Sequence, residues 1–375
     1  HPADLCVRNE RAWDFYFDLK VVNDLAASLP QTDFVRAKLV RALKKVHETV
    51  FYDPTSVEEE TYWARIQMAA PYLKEALSDR NGPSAPRGGL IGHSQRDTAW
   101  LWHRGETEKF CARTYANQMS LMDQYPEYTF IQSSAYHSAI IKRLYPRLFA
   151  RIRERVREGR YEPNGGVFIE CDGNVPSGEY MVRQFLWGQR FTRENFGYTA
   201  DAFWLPDTFG YSASLPQIMK GSKVRYLLTT KMDWNDTNVF PYDTFVWQGI
   251  DGSRVLTHRN RTHVWPSPKN LLDIVCSKEA GIQERAVSDS RLISYGFGDG
   301  GGGPEFEMIE MARREGDVEG LPTTGHTTVS RFMRDLAARI TDPTVYVGEL
   351  YLELHRGTLT NQHEIKRNNR KAEFA

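Results

Sequence analysis

The chain has 375 residues, and its 48 Lys and Arg balance 48 Asp and Glu, so the formal net charge at pH 7 is zero. A chain of this length makes about two or three average domains, or one large α/β barrel with an additional segment. The balanced charge, without a long run of one sign, argues against a nucleic-acid surface. No apolar run reaches the roughly 18 residues of a membrane span, so we expect no membrane partner.

The cysteines, Cys6, Cys111, Cys171 and Cys276, are far apart and form no CxxC pair. This spacing predicts neither a cysteine zinc site nor a disulfide framework, and it favours a reducing compartment. Nothing at the start resembles a signal peptide, although the chain opens with His1 rather than Met. We therefore expect a cytoplasmic protein.

The N-terminal part of the chain is predicted to be helical. Val35, Leu39 and Leu43 recur at the spacing of one helix face. A loop rich in Gly and Pro follows, and we place a domain boundary there. The prediction is a helical N-terminal segment over residues 1–85 and a second domain over residues 86–375.

Short apolar runs alternate with helical stretches after this boundary. The runs include GLIG, YTFIQSS, GGVFIE, DAFWLPD, VRYLLTT, TFVWQGI, RVLTHR, RLISYGFG and YVGELYLEL. Such alternation predicts an α/β fold with parallel strands and crossover helices, either an open doubly wound sheet or a closed barrel. No G-x-G-x-x-G follows an early strand, so dinucleotide binding lacks support. In both architectures catalytic groups collect at the carboxyl ends of strands.

Polar residues follow the GLIG run at every second position. His93, Gln95 and Asp97 would share one face while the chain stays extended, and Trp100 comes shortly after them. The alternation is typical of half a metal site. Gln95 is a neutral amide, however, and a poorer ligand for a divalent metal than His or a carboxylate.

Three further runs end in candidate site residues. Asp207 follows FWLP, with Phe209 two residues later, and an N-cap is the ordinary alternative for such an aspartate. Asp299 precedes four glycines that lack the Gly-Lys-Ser/Thr ending of a phosphate cradle, so this loop instead indicates close backbone approach to a ligand. His355 follows the alternating run GELYLEL.

Together these stretches resemble the catalytic domain of the glycoside hydrolase family 38 α-mannosidases, the class II mannosidases. The resemblance runs from about Gly89 to Arg370, with the motifs in the family's order. They include GHSQRDTAWLW, GRYEPNGGVFIECDGNVPSGEY, WLPDTFGYSASLPQI, GFGDGGGGP and ELYLELHRGT. It implies a seven-stranded β/α barrel, followed in the family by helical and β-sandwich domains absent from this chain. The chain thus resembles the N-terminal portion of a longer protein.

The resemblance also implies a zinc site. Its ligands would be Asp97, Asp207, His355 and the residue at position 95, which is a histidine in the family and Gln95 here. His93 belongs to a preceding Gly-His step that does not ordinarily bind zinc. We expect the glutamine to lower zinc affinity by about 10 to 100 fold, or to shift the preference toward calcium.

By the same resemblance, Asp207 is the nucleophile and Asp299 the acid/base of a retaining glycosidase that releases α-linked mannose from oligosaccharides. The metal would hold two adjacent sugar hydroxyls. Trp100 and Phe209 match aromatic positions that line the sugar site, where a ring can stack on the pyranose.

Other functions remain open at this level. Within the family, a mannosylglycerate hydrolase would use the same residues. Replacement of a metal ligand by Gln95 also fits a catalytically impaired, sugar-binding relative. A sugar deacetylase on a similar barrel would need a richer set of histidines. We expect a mannose-containing oligosaccharide or mannoside as ligand, no nucleic acid or membrane, and leave a homo-oligomer open.

Overall fold

The computed structural model describes residues 7–51 and 57–375. Cys6 and two parts of the predicted helical segment, residues 1–6 and 52–56, lie outside the described residues. The helices within the described ranges are α1 (Glu10–Ser28), α2 (Phe34–Val50), α3 (Glu59–Ala76), α4 (Arg104–Gln124), α5 (Ala135–Leu144), α6 (Pro146–Arg157), α7 (Gly178–Phe196), α8 (Leu215–Gly221), α9 (Pro268–Cys276), α10 (Phe306–Glu315), α11 (Val329–Arg339) and α12 (His363–Phe374).

The strands within these ranges are β1 (Arg87–His93), β2 (Phe130–Ile131), β3 (Tyr161–Glu162), β4 (Ala202–Trp204), β5 (Tyr226–Thr229), β6 (Thr244–Gln248), β7 (Arg254–Arg259), β8 (Arg261–Val264), β9 (Ser290–Tyr295), β10 (Thr323–His326) and β11 (Val345–Val347). Short 3-10 helices cover Lys231–Trp234 and Arg356–Leu359. Among the described residues, we find no helix with the length and apolar character needed to cross a membrane.

The chain divides into two compact units. The first contains the residues up to Gly88 together with Trp265–Gly281 and Phe306–Gly325. The second contains Gly89–Val264, Ile282–Glu305 and His326–Ala375. The first unit therefore includes two segments that are distant in sequence, whereas the predicted domain boundary at residue 85 treated the N-terminal part as one continuous segment.

The first unit is helical, and its helices begin at clear capping residues. The Asn9 side chain accepts hydrogen bonds from the first turn of α1, and Asp33 does the same for α2. Leu39 is buried on α2, while Val35 and Leu43 pack at the edge of the same apolar cluster. The spacing that predicted a helix here is thus the spacing of its buried face.

The second unit contains two sheets. One has the strand order β3-β2-β1-β9-β8 along its main path, and the other has the order β11-β6-β7-β5-β4. The pairs β1/β2, β2/β3, β8/β9, β4/β5, β5/β7 and β6/β11 are parallel. Strands β6 and β7 are antiparallel. This pair departs from the expected parallel arrangement, because the few residues around Gly252 that join the two strands are too few for a crossover.

A shared core joins strands of both sheets. It includes Ile91 and Leu292 from the first sheet and Trp204 and Leu228 from the second, all fully buried. Burial on both faces explains why these strands read as continuous apolar runs rather than as alternating ones. The predicted α/β class with parallel strands is confirmed; closure into a seven-stranded barrel stays a prediction.

Candidate active site

The candidate site is built from residues just beyond the carboxyl ends of four strands. Asp97 follows β1, Asp299 follows β9, Asp207 follows β4 and Lys231 follows β5. The first two strands belong to one sheet and the last two to the other. In α/β folds such strand ends are where catalytic groups meet.

Gln95 connects two of these loops. Its side-chain oxygen accepts a hydrogen bond from the backbone N–H of Asp299 at 2.8 Å, and its side-chain nitrogen donates to the Asp97 carboxylate at 3.4 Å. The backbone N–H of Asp97 donates to the carbonyl oxygen of Asp299 at 3.3 Å. Because a backbone N–H can only donate, the Gln95 oxygen must face Asp299 and its amide nitrogen must face Asp97.

The glycine-rich loop comes close to the end of β1. Gly301 has a φ of +88°, and a Cβ at this position would clash with the guanidinium of Arg96. Arg96 is buried and donates to the Thr114 hydroxyl at 2.6 Å. The glycine-rich loop thus packs closely against Arg96 of the protein itself, and its approach to a ligand stays a prediction.

Two of the predicted carboxylates act electrostatically on a third, Asp97. The pKa of Asp97 is raised to about 6, mainly by burial and also by the negative charges of Asp207 and Asp299, while the hydrogen bond from Gln95 opposes the shift. The structure thus brings together Asp97, Asp207 and Asp299, which the sequence predicted as a group.

Glu170 is a fourth carboxyl group at the site, and sequence reasoning missed it. Burial raises its pKa to about 8, and the charges of Asp207 and Asp97 act in the same direction. Its Oε1 atom is buried without a hydrogen-bond partner. A usable signal was present, because Glu170 ends the apolar run GGVFIE just as Asp207 ends its own run.

Lys231 contacts the predicted nucleophile directly. Its ammonium nitrogen lies 2.8 Å from Oδ1 of Asp207 and 5.7 Å from the centroid of the Phe209 ring. Lys231 follows the run VRYLLTT, so the rule that selected Asp97 and Asp207 would also have selected this residue.

The two remaining predicted residues are exposed and contact aromatic side chains. His355 is exposed, with a φ of +54°, and its ring contacts Phe209 edge-on at 5.2 Å between centroids. A second ring, Trp234, lies 6.4 Å away. Trp100 is 58% exposed and contacts Trp102 edge-on, so it is not a core residue.

The predicted metal ligands do not form a metal-binding group as placed. Within residues 7–51 and 57–375, no set of three or more His, Cys, Asp and Glu side chains is arranged to hold a metal ion. Gln95 turns its amide nitrogen toward Asp97, and the ammonium of Lys231 lies against Asp207. His93 is fully buried against the Trp204 ring, and burial lowers its pKa.

Comparison with known proteins identifies the family. The sequence of residues 89–349 matches the glycosyl hydrolases family 38 N-terminal domain. This match covers well over half of the chain and contains most of the candidate site. The protein therefore belongs to glycoside hydrolase family 38.

Several relatives of this chain carry the name α-mannosidase. It is 38% identical to Alpha-mannosidase G of Dictyostelium discoideum over 372 residues, which is 99% of this chain and 34% of that protein. It is 43% identical to human Alpha-mannosidase 2C1 over 282 residues, or 75% of this chain and 27% of that protein. The chain spans about a third of the length of these relatives.

A solved structure supports the fold. An α-mannosidase from Enterococcus faecalis V583 superposes with a TM-score of 0.58, covering 71% of this chain and 31% of that one. The sequence identity is 17%, so this likeness concerns the fold alone.

Proposed function

We propose that the protein is a retaining glycosidase that releases α-linked mannose from oligosaccharides. The observation that carries this proposal is the position of Asp207 and Asp299 at strand ends of a family 38 domain, where both act electrostatically on Asp97. The names of the relatives support mannose as the sugar.

In the proposed reaction, the Asp207 carboxylate attacks the anomeric carbon while Asp299 donates its proton to the departing glycosidic oxygen. The bond from the anomeric carbon to that oxygen breaks, and a glycosyl ester with Asp207 forms. Asp299 then removes a proton from water, which attacks the same carbon and releases mannose. Two inversions at one carbon leave its configuration unchanged.

Aromatic side chains would bind the sugar. Phe209 lies two residues beyond Asp207, and Trp100 is exposed three residues beyond Asp97. An exposed ring can stack on the apolar face of a pyranose. We assign these two rings to substrate binding.

The family's α-mannosidases are generally metal-dependent, and the expected ion was zinc, with calcium as the alternative. Asp97, Asp207, His355 and Gln95 are the residues implied as ligands. The side chains as placed do not fit a divalent ion, because the Gln95 oxygen is hydrogen-bonded to Asp299 and a lysine ammonium contacts Asp207. We therefore derive no catalytic step through a metal.

A sugar-binding relative without turnover is the second candidate, and the engagement of Gln95 with Asp299 favours it over a metal enzyme. A mannosylglycerate hydrolase would share the residues of the main proposal. The seven-stranded barrel, a cytoplasmic location and a homo-oligomer stay predictions.

The test of the proposed function is hydrolysis of aryl α-mannosides by the parent chain and by Asp207→Asn. We expect turnover by the parent and none by the variant, because an amide cannot form the glycosyl ester. Lys220→Met, on the exposed side of α8, is the control and should keep parent activity. Mannoside binding without turnover in the parent would favour the sugar-binding relative instead.

A further inference from the structure

Lys231 is a buried lysine at the candidate site, and a carboxylate balances its positive charge. The residue is 8% exposed, and its ammonium lies 2.8 Å from the Asp207 carboxylate. The same nitrogen lies 3.3 Å from the centroid of the Trp234 ring, and the Phe209 ring is also close. Lysines are rarely buried unless they are paired, and here a carboxylate and two aromatic faces surround the ammonium.

The backbone that carries Lys231 is anchored by buried ion pairs. Lys231 opens a 3-10 helix that includes Asp233. The Asp233 carboxylate contacts Arg259 at 2.8 Å and Arg261 at 3.0 Å. These contacts tie the turn to β7 and β8, so the ammonium is held at Asp207 by a fixed segment rather than by a mobile surface loop.

The position of this ammonium conflicts with a divalent ion at Asp207. Two positive charges within contact of the same carboxylate repel each other strongly in a partly buried site. Gln95 adds to the conflict, since its oxygen is hydrogen-bonded to Asp299 and its amide nitrogen donates to Asp97.

We propose that Lys231 is the fixed cation of this site, a positioning residue that holds the Asp207 carboxylate and occupies the electrostatic place expected for a metal ion. The inference rests on the proposed function for the role of Asp207. Its consequence is specific: removal of the Lys231 charge should make Asp207 available to a divalent cation.

The test is calorimetric titration of the full chain with zinc chloride, without substrate, for the parent, Lys231→Met and Lys231→Arg. We expect Lys231→Met to bind zinc at least about tenfold more tightly than the parent. Lys231→Arg keeps the charge and should stay as weak as the parent. Lys220→Met, which removes an exposed lysine, is the matched control and should not change zinc affinity.

If Lys231 served only in packing, its replacement by Met would not raise zinc affinity. The titration therefore separates a positioning role from structural support. If Lys231→Met does not fold, Lys231→Gln replaces it with the same expectation. Equal zinc affinity in the parent and the neutral variant would overturn the proposal, as would tighter binding by the parent. Failure of the proposed function would appear in a different measurement, the aryl α-mannoside assay, in which the parent chain would show no hydrolysis.

Catalysis gives a second readout. Loss of the Lys231 charge should lower kcat more than it raises KM, because the ammonium orients the nucleophile rather than the sugar. Lys231→Arg should recover part of kcat. A variant with parent kcat and a raised KM would contradict the positioning role.

Discussion

The side-chain oxygen of Gln95 accepts the backbone N–H of Asp299 at 2.8 Å, so a residue expected to bind metal instead holds the loop that carries the proposed acid/base. The two residues are 204 positions apart in the chain. The amide nitrogen of the same side chain donates to Asp97. The Gln95 amide therefore fixes Asp299 relative to Asp97.

Removal of this hydrogen bond should impair the acid step selectively. In Gln95→Met the loop loses its acceptor at similar side-chain volume, and we expect kcat to fall by about tenfold or more, since small displacements of a catalytic group are costly. The loss should be larger for methyl α-mannoside than for aryl α-mannosides with acidic leaving groups, which need little protonation. An equal loss on all leaving groups would contradict this role of Gln95.

A histidine at the same position should favour metal. Gln95→His supplies an imidazole, a ligand that zinc prefers to an amide, and we expect zinc affinity to rise by about 10 to 100 fold. Zinc should then raise the melting temperature of the variant more than that of the parent, because a ligand of the folded state stabilises it by mass action. A thermal melt at several zinc concentrations measures both effects. An unchanged melting temperature at saturating zinc would show that the added imidazole does not reach an ion.

Polar residues that follow apolar runs predicted several members of the candidate site, and the members that this pattern did not single out have physical explanations. Asp97, Asp207 and Asp299 follow apolar runs, and parallel strands bring such positions to one place. Lys231 and Glu170 also stand at the ends of apolar runs, but a lysine is not a metal ligand and Glu170 has no counterpart in the predicted pair of catalytic carboxylates.

Other features that the sequence did not predict depend mainly on tertiary contacts. The orientation of the Gln95 amide depends on a hydrogen bond to a loop more than two hundred residues away, which no local pattern encodes. The antiparallel pairing of β6 and β7 did have a local signal, the Asp251-Gly252 turn. No local sequence pattern predicts that the first unit includes Trp265–Gly281 and Phe306–Gly325. Their place in this unit depends on helix packing between segments far apart in sequence.

The buried ion-pair network beneath Lys231 should be a major source of stability. Arg259 contacts Asp233 at 2.8 Å and Asp243 at 2.6 Å. Burial opposes ionisation of Asp243, but the charges of Arg291 and Arg259 outweigh it and lower its pKa. Arg259→Met would leave two buried carboxylates with fewer partners, and we expect a loss of about 3 to 5 kcal/mol in the free energy of unfolding.

Urea unfolding of Arg259→Met and of Arg254→Met measures this difference. Arg254 is exposed at the start of the same strand and should change stability by less than about 0.5 kcal/mol. Similar unfolding free energies for the two variants would show that the network contributes little to stability.

Glu315 should make stability depend on pH. It is fully buried in the first unit, and neither carboxyl oxygen has a hydrogen-bond partner. Burial raises its pKa from 4.5 to about 8, and the charge of Asp24 adds to the shift. Because the folded state favours the protonated form, the stability that Glu315 contributes is fully present below pH 4.5 and is lost as pH rises through 8.

Glu315→Gln removes this titration. Relative to the parent, the variant should gain stability progressively between pH 4.5 and 8, by up to roughly 5 kcal/mol for a pKa shift of this size. Unfolding free energies across this interval measure the gain, with the exposed Glu305→Gln as control. A parent and variant with parallel pH profiles would show that Glu315 does not titrate in this range.

The hydrogen bond between Gln95 and Asp299 also determines when the candidate site can assemble during translation. A nascent chain exposes Gln95 and Asp97 long before Asp299 leaves the ribosome, whereas Asp207 and Lys231 emerge close together. The nucleophile can thus meet its ammonium partner early, whereas Gln95 cannot meet the acid/base loop until about two hundred further residues have been translated. Closure of such a distant contact is entropically slow. Translation intermediates that end before Asp299 therefore lack the acid/base of the proposed reaction.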